Sequence, residues 1–365
     1  MKILPTTVSA IGSFAETRWG KFRTLLAWRY MWGSYYGERL RDYPLIVALK
    51  LLFARFIFLT QIPLLLPDRP FLINYHGAKL NIRLFSHPVS MDMALGVYEY
   101  RKTRLFYQLV KEGMTVLDIG AFEGNYSILL AKLLNDKGKV LAFEPDPENC
   151  SFLEENVRVN EFKSIEVHQY ALSDTEGTAT FYPGGGLGSI VTRSSWYAHF
   201  QREPTTVPVR RLDNVLAELA ISHVDIMKID VEGSEILVLR GAEQTLRNNS
   251  VHLLMDIDVE SNAERIALYK LLDSFGYEMY RIGKRLTPIK TADELLICRN
   301  NTMPSTRDSN SPRYAIMFSF KDRLRRIIPR RLLVQLGSIY YCVRPQFGKP
   351  DVVRDIYAVK VDRTL

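Results

Sequence analysis

Cysteine is scarce: the 365 residues contain three, Cys150, Cys298 and Cys342. They are odd in number, widely spaced and free of any C-x-x-C pair. This excludes a disulfide framework or a thiolate zinc site as the organiser of the fold and points to a reducing, cytoplasmic setting. A clean apolar run is missing too. Residues 45–66, LIVALKLLFARFIFLTQIPLLL, are about long enough to cross a hydrocarbon core, yet they carry Lys50, Arg55 and Pro63. Each cation near a bilayer centre costs roughly 2.5 to 3.5 kcal/mol, so a docked or interfacial helix is expected rather than a crossing one. The opening residues, MKILPTT, lack the charged start, apolar stretch and small-residue cleavage site of a secretory leader, and none is expected. The glycine-rich run at 183–189 has no Lys-Ser or Lys-Thr after it, which removes a phosphate-cradling P-loop. It reads as a mobile loop, a substrate lid carrying Gly186 and Ser189.

What is present is segregated by charge. Residues 1–75 hold ten Lys and Arg against four Asp and Glu, residues 76–298 hold 24 against 31, and residues 299–365 hold 14 against five. An acidic middle argues against long-range steering of nucleic acid, so no nucleic-acid partner is expected. The basic ends suit anionic lipid headgroups, phosphates or an acidic partner. Residues 1–70 therefore read as a basic, aromatic-rich helical extension, and residues 301–365 as a linker followed by a basic amphipathic tail.

Between these ends, from Met114 onward, strand and helix patterns alternate. Strands are expected at 114–118, 139–144, 165–170, 224–229, 251–257, 277–281 and 294–298, with helices at 124–135, 147–160, 211–220, 233–248 and 261–275. A hairpin at 71–84 leads in. The fold class is thus α/β: a seven-stranded, mostly parallel sheet covered on both faces, with a terminal antiparallel hairpin, plus the helical basic extensions.

Residues 116–126, VLDIGAFEGNY, read as a buried strand, a glycine turn and a helix start, and residues 141–146, LAFEPD, as a second strand ending in an acid. That is the first half of a nucleotide-binding α/β unit. The turn lacks the middle glycine of G-x-G-x-x-G and carries Asp118 and Glu123, which would repel the pyrophosphate of a dinucleotide. A ligand bearing an ammonium and a sulfonium suits it, which points to S-adenosylmethionine (SAM).

Five blocks carry a more specific likeness: residues 113–121 with Gly124, Asn125 and Tyr126; residues 142–147; residues 170–174 with Gly177; residues 212–215; and residues 225–235, DIMKIDVEGSE. In order and spacing they resemble FkbM-type SAM-dependent methyltransferases, over about residues 95–300. The resemblance implies a class I, Rossmann-like methyltransferase domain at 71–300. It implies cofactor contacts from Asp118, Gly120, Ala121, Gly124, Asn125, Tyr126, Glu144, Pro145 and Asp146, with Ala171, Leu172 and Asp174 around the adenine. Gly120 would let the backbone approach the methionine moiety, and Asp118 would receive its ammonium. The N–H groups of Asn125 and Tyr126 would hold its carboxylate, and Glu144 would take the ribose hydroxyls. Asp174 reads equally as an Asx-turn before Gly177.

Asp230 is the expected catalytic carboxylate, with Glu232 its partner or a substrate ligand. Glu99, Gly186, Ser189 and Glu235 are candidate substrate contacts, Glu235 reading also as a carboxylate complementing a helix N-terminus. Lys228, mid-strand, should pair with an acid of a neighbouring strand such as Asp118 or Asp256. Asp230, Asp256 and Asp258 imitate the acid cluster of a metal-dependent methyl transfer, although no metal belongs to the expected set. Phe122-Glu123 and Asp256-Ile257-Asp258 depart from the family pattern.

The expected activity is SAM-dependent O-methylation of a hydroxyl on a glycan, glycolipid or secondary metabolite, by a cytoplasmic enzyme peripheral to the membrane through its basic ends. The alternatives are an RNA methyltransferase and a non-catalytic SAM-fold scaffold docking a glycan-synthesis complex.

Overall fold

The computed structural model describes residues 43–59, 70–83, 90–184, 188–191, 203–258, 261–296 and 355–360. The chain divides into two units, residues 1–67 with 298–351 and residues 68–297 with 352–365. In the first, the described part includes helix α1 (Leu45–Leu59). Val47, Leu51 and Ala54 share its buried face, whereas Leu45, Ile46, Leu49, Leu52 and Phe53 are exposed. No helix among the described residues is long and apolar enough to cross a membrane.

The second unit opens with the expected hairpin, β1 (Phe71–Tyr75) and β2 (Ala78–Ile82), followed by α2 (Ser90–Ala94) and α3 (Tyr100–Leu109). Alternation then sets in with β3 (Thr115–Ile119), α4 (Asn125–Leu133), β4 (Lys139–Phe143), α5 (Pro147–Asn160) and β5 (Ile165–His168). After a three-stranded side sheet of β6 (Ala171–Leu172), β7 (Gly177–Phe181) and β8 (Thr205–Arg210) come α6 (Leu212–Glu218), β9 (Ile226–Ile229), α7 (Glu235–Gly241) and α8 (Glu243–Asn248). The helix expected over 233–248 is thus two helices, broken at Ala242. Strand β10 (His252–Asp256), α9 (Asn262–Ser274), and the hairpin β11 (Tyr277–Ile282) and β12 (Leu286–Ile289) complete the run.

Each central strand divides its side chains between two layers because successive residues point to opposite faces. Leu117, Ile119, Met227 and Ile229 pack with α6, α7, α8 and α9. Val116, Val140, Ile226 and Leu254 pack with α3, α4, α5 and the β1–β2 hairpin. Helices on both faces leave the buried stretches of β3 and β9 apolar except for the pair Asp118 and Lys228, which is why the sequence reads there as runs rich in Val, Ile and Leu.

The main sheet has eight strands in the order β12-β11-β13-β10-β9-β3-β4-β5. Six run parallel, and β12 and β13 run against them. Strand β13 (Asp355–Lys360) corrects two expectations. Residues 294–298 were to supply the last strand. Instead Ala292–Leu295 form a 3-10 turn, held by a capping box between Thr291 and Glu294, that buries Leu295. The slot between β10 and β11 is filled by residues 355–360, from within the stretch expected to be a tail. Ile356 and Ala358 are fully buried there, so this segment belongs to the domain core.

Candidate active site

Strand order reverses between β3 and β9, and parallel sheets bind ligands at the carboxyl ends of the strands flanking such a point. A cleft of about 760 Å³, partly open to solvent, lies there.

The floor of the cleft is set by two backbone turns. Gly120 has φ 77°, and a Cβ on it would lie 1.8 Å from the carbonyl oxygen of Asp230. The end of β9 crossing close to it by itself demands glycine here, and Gly120 also lines the cleft. Gly124 is likewise a packing residue, since a Cβ there would meet Leu153 Cδ1 at 2.3 Å. Ala121 is buried in the core.

Asp118 and Lys228 are register partners on adjacent strands. Lys228 Nζ lies 3.1 Å from Asp118 Oδ1 and 3.7 Å from Asp230 Oδ2, and it donates to the Gly120 carbonyl at 2.6 Å. Asp118 Oδ2 accepts from Ser127 at 2.6 Å. Burial depresses the Lys228 pKa, but the charges of Asp118 and Asp230 outweigh it and hold the ammonium above its ordinary value. The expected pairing of Lys228 is found. The expected exposure of Asp118 to a cofactor ammonium is not, because Asp118 is enclosed by its partners and does not line the cleft. Glu123 also turns away, to Arg83. The two turn acids that disfavoured a pyrophosphate are thus already matched by cations, and the acids facing the cleft are Glu144, Asp230 and Glu232.

Glu144 ends β4 with Oε2 accepting from Phe122 N–H at 2.8 Å and Oε1 from Asp146 N–H at 3.0 Å. Burial pushes its pKa up to about 7 against these donors. Pro145 lines the cleft beside it, whereas Asp146 caps α5, its carboxylate accepting from the N–H groups of Glu148 and Asn149. At the start of α4, Asn125 and Tyr126 line the cleft. Asn125 Nδ2 is buried with no hydrogen-bond partner, a donor without an acceptor.

The far wall is Ala171, Leu172 and Ser189, joined by Tyr170, Phe181 and Ile190, which sequence reasoning missed. Tyr170 lies at the end of the expected strand 165–170 and Phe181 on β7 of the side sheet, and neither carried a local pattern that marks a ligand contact. Gly186 lies outside the described residues. Asp174 points to Arg240 Nη1, 3.9 Å away, and not into the cleft.

On the β9 side stand Asp230, one-fifth exposed, and Glu232, held at φ 54° with its carbonyl accepting from Ser189 Oγ at 2.9 Å. Glu235 is fully buried and accepts from Gly233 N–H at 2.8 Å, so it fastens the turn rather than facing substrate. Glu99 is also withdrawn: it accepts from the Tyr126 hydroxyl and sits 2.9 Å from Lys102 Nζ. Lys102, unnoticed in the sequence, is buried, 2.9 Å from Asp355 and 3.8 Å from Asp256. Burial depresses its pKa too, but Asp355, Glu99, Asp256 and Asp230 raise it well above the usual value.

These donors and acceptors fit SAM. Asn125 Nδ2 needs an acceptor such as a carboxylate, and Glu144 gains from hydroxyl donors such as a ribose diol. Lys228 is the single cation among the described lining residues and is already engaged, so nothing clamps a pyrophosphate.

Residues 118–279 match the family model of the methyltransferase FkbM domain. This chain carries an FkbM methyltransferase domain. It is a SAM-dependent methyltransferase, and SAM is its cofactor. The FkbM domain is 27% identical over 178 residues to 2-O-methyltransferase NoeI of Sinorhizobium fredii, the match covering 45% of this chain and 72% of that one. It is 24% identical over 200 residues to hexuronic acid methyltransferase AglP of Haloferax volcanii, covering 54% and 74%. Among solved structures, methyltransferase FkbM of Methylobacillus flagellatus matches with 18% identity and a TM-score of 0.33, over 52% of this chain and about half (48%) of that one.

Proposed function

We propose that the FkbM domain methylates a hydroxyl group of a glycan, glycolipid or related metabolite. The observation that carries this reading is the Asp230 carboxylate, partly exposed at the end of β9 in the same cleft as Glu144. When bound, SAM supplies a methyl group already activated by its sulfonium.

The chain's own residues position the partners. Glu144 takes the ribose hydroxyls and Asn125 the methionine carboxylate, and Tyr170, Leu172 and Phe181 offer apolar surface to the adenine. With SAM so held and its methyl group supplied to the acceptor oxygen, Asp230 would take the proton that the acceptor hydroxyl gives up. Lys228, 3.7 Å away, orients that carboxylate. Most of the acceleration comes from alignment. NoeI is named a 2-O-methyltransferase and AglP a hexuronic acid methyltransferase, which supports a sugar hydroxyl as acceptor.

The test is Asp230→Asn assayed with glycan and polar-lipid extracts for a +14 mass shift. Turnover should fall about 100-fold or more with SAM affinity unchanged, in keeping with loss of a general base. Near-normal turnover would remove Asp230 from this role.

The basic ends and the exposed apolar side chains of α1 support contact with an anionic membrane surface. Full-length protein should sediment with phosphatidylserine vesicles and less with phosphatidylcholine alone. Equal recovery from both would refute it.

A further inference from the structure

The turn residues Phe122 and Glu123, which depart from the family pattern, both lead back to Glu144. Phe122 N–H donates to Glu144 Oε2 at 2.8 Å. Glu123 instead holds Arg83, which follows β2 and lies outside the span 118–279 matched by the family model. The hairpin that delivers Arg83 is clamped to α5. Lys79 N–H donates to Asn160 Oδ1 and Asn81 N–H to Asn156 Oδ1, each at 2.7 Å, and Asn156 Nδ2 donates to the Glu123 carbonyl at 2.8 Å. Arg83 is thereby fixed 4.7 Å from the centroid of the Phe152 ring, with Glu123 and Glu148 on its guanidinium.

The other arm of that guanidinium, Nη2, donates to Asn149 Oδ1 at 3.1 Å. A guanidinium has donors only, so the amide oxygen of Asn149 must face it and the amide NH2 is directed the other way. There Asn149 Nδ2 donates to Glu144 Oε1 at 3.3 Å. Asn149 is 3% exposed in the first turn of α5, and the Asp146 cap accepts from its backbone N–H at 3.4 Å. Three donors therefore meet the Glu144 carboxylate. Two are the N–H groups of Phe122 and Asp146, and the Asn149 amide is the one side chain among them.

We propose that Arg83 and Asn149 are positioning residues for the cofactor: Arg83 sets the Asn149 amide, and Asn149 holds the Glu144 carboxylate in the orientation and charge state that receive the ribose hydroxyls. This rests on the reading of Glu144 as the ribose ligand. Neither Arg83 nor Asn149 lines the cleft, so the β1–β2 hairpin bears on the cofactor from behind the wall. A donor to an ionised carboxylate favours the charged form, and the charged form accepts more strongly from a diol. Burial raises the Glu144 pKa to about 7, and the hydrogen bonds from Asp146, Phe122 and Asn149 work against that rise.

The experiment is calorimetry of SAM binding to the full-length protein between about pH 6 and pH 9, with folding checked by circular dichroism. Asn149→Leu removes the donor at nearly constant volume. The midpoint of the pH dependence should move up by about half to one pH unit, with binding about two- to fivefold weaker near pH 7 and closer to wild type near pH 9, where Glu144 is ionised in both. Asn149→Asp keeps an acceptor for Arg83 but sets a second carboxylate beside Glu144, so its midpoint should move furthest. A merely structural Asn149 predicts the reverse order, because aspartate preserves the shape and the Arg83 contact that leucine loses. Arg83→Lys keeps the charge beside Glu123 without the fork that reaches Asn149, and should shift the midpoint in the same direction. In a Glu144→Gln background none of the three substitutions should weaken SAM binding further. Should Asn149→Leu fail to fold, Asn149→Asp decides by the same midpoint. Weak SAM binding by Glu144→Gln together with a wild-type midpoint in both Asn149 variants overturns the positioning role and leaves Glu144 as the ribose ligand. A wild-type midpoint in Arg83→Lys alone overturns the part assigned to Arg83. Glu144→Gln that binds SAM as tightly as wild type overturns the ribose reading and the positioning role together.

Discussion

Lys228 and Asp118 face each other in register on adjacent parallel strands, both buried, with Nζ 3.1 Å from Oδ1. The pair sits directly beneath the cleft and ties three things together: the end of β3, the Gly120 carbonyl and the catalytic candidate Asp230.

Removing one partner leaves a buried charge uncompensated, which costs about 3 to 5 kcal/mol, whereas replacing both with apolar groups is far milder. Lys228→Met should therefore lower stability by about that amount in urea unfolding, and Lys228→Met with Asp118→Leu should recover much of it. A single substitution costing under about 1 kcal/mol would show that the pair does not anchor the sheet.

Glu144 has its pKa raised to about 7 by burial. A carboxyl raised in the folded state contributes stability that is complete below its unfolded value, near 4.5, and is lost as pH climbs through about 7. SAM affinity should run the other way, because ribose hydroxyls donate best to the ionised carboxylate. Calorimetry should find SAM binding tightening between about pH 6 and pH 8, and a flatter profile with roughly tenfold weaker binding in Glu144→Gln, as loss of a hydrogen bond to a charged group implies.

Gly120→Ala places a methyl group 1.8 Å from the Asp230 carbonyl at φ 77°. The end of β9 must shift, at a cost of at least about 1 to 3 kcal/mol. Activity should fall more than stability, since Asp230 moves with the strand end. Wild-type turnover in a folded Gly120→Ala protein would contradict the close crossing of the two turns.

A chain ended at residue 300 loses β13, which pairs with β10 on one side and β11 on the other. It also loses Asp355 from Lys102. Such a truncation should be insoluble or unfold without cooperativity, and Ile356→Asp in the full chain should reproduce the defect. A well-folded, SAM-binding 1–300 fragment, shown by circular dichroism and calorimetry, would contradict the central place of this strand.

Some of this was legible because it depends on residues close in sequence. The order of β3, α4, β4 and α5 follows from apolar runs separated by Gly120, Gly124 and the Asp146-Pro147 helix start. The strand-end acids Glu144, Asp230 and Glu232 follow from the same alternation. Individual roles were less legible because an acid in a turn has the same letter whether it faces a ligand or a partner. Asp118, Glu123 and Asp146 were each read from the chain as facing the site or its cofactor, and Glu235 as either a substrate contact or a carboxylate at a helix N-terminus; each is engaged inside the protein. Lys102 gave no signal, being one cation in the run Arg101-Lys102-Thr103-Arg104.

The sequence by itself determined the alternating α/β order, the cofactor class and the family, since periodicity, turn glycines and the DVEGSE block are local patterns. Only the tertiary structure decided which acids are matched by Lys228, Arg83 and Lys102 and which face the cleft. It alone brought Asp355 across from the far end of the chain to Lys102. The reason is that charge pairing and sheet order depend on which strands become neighbours. Strand β13 enters between β10 and β11 over a sequence separation that no local pattern spans.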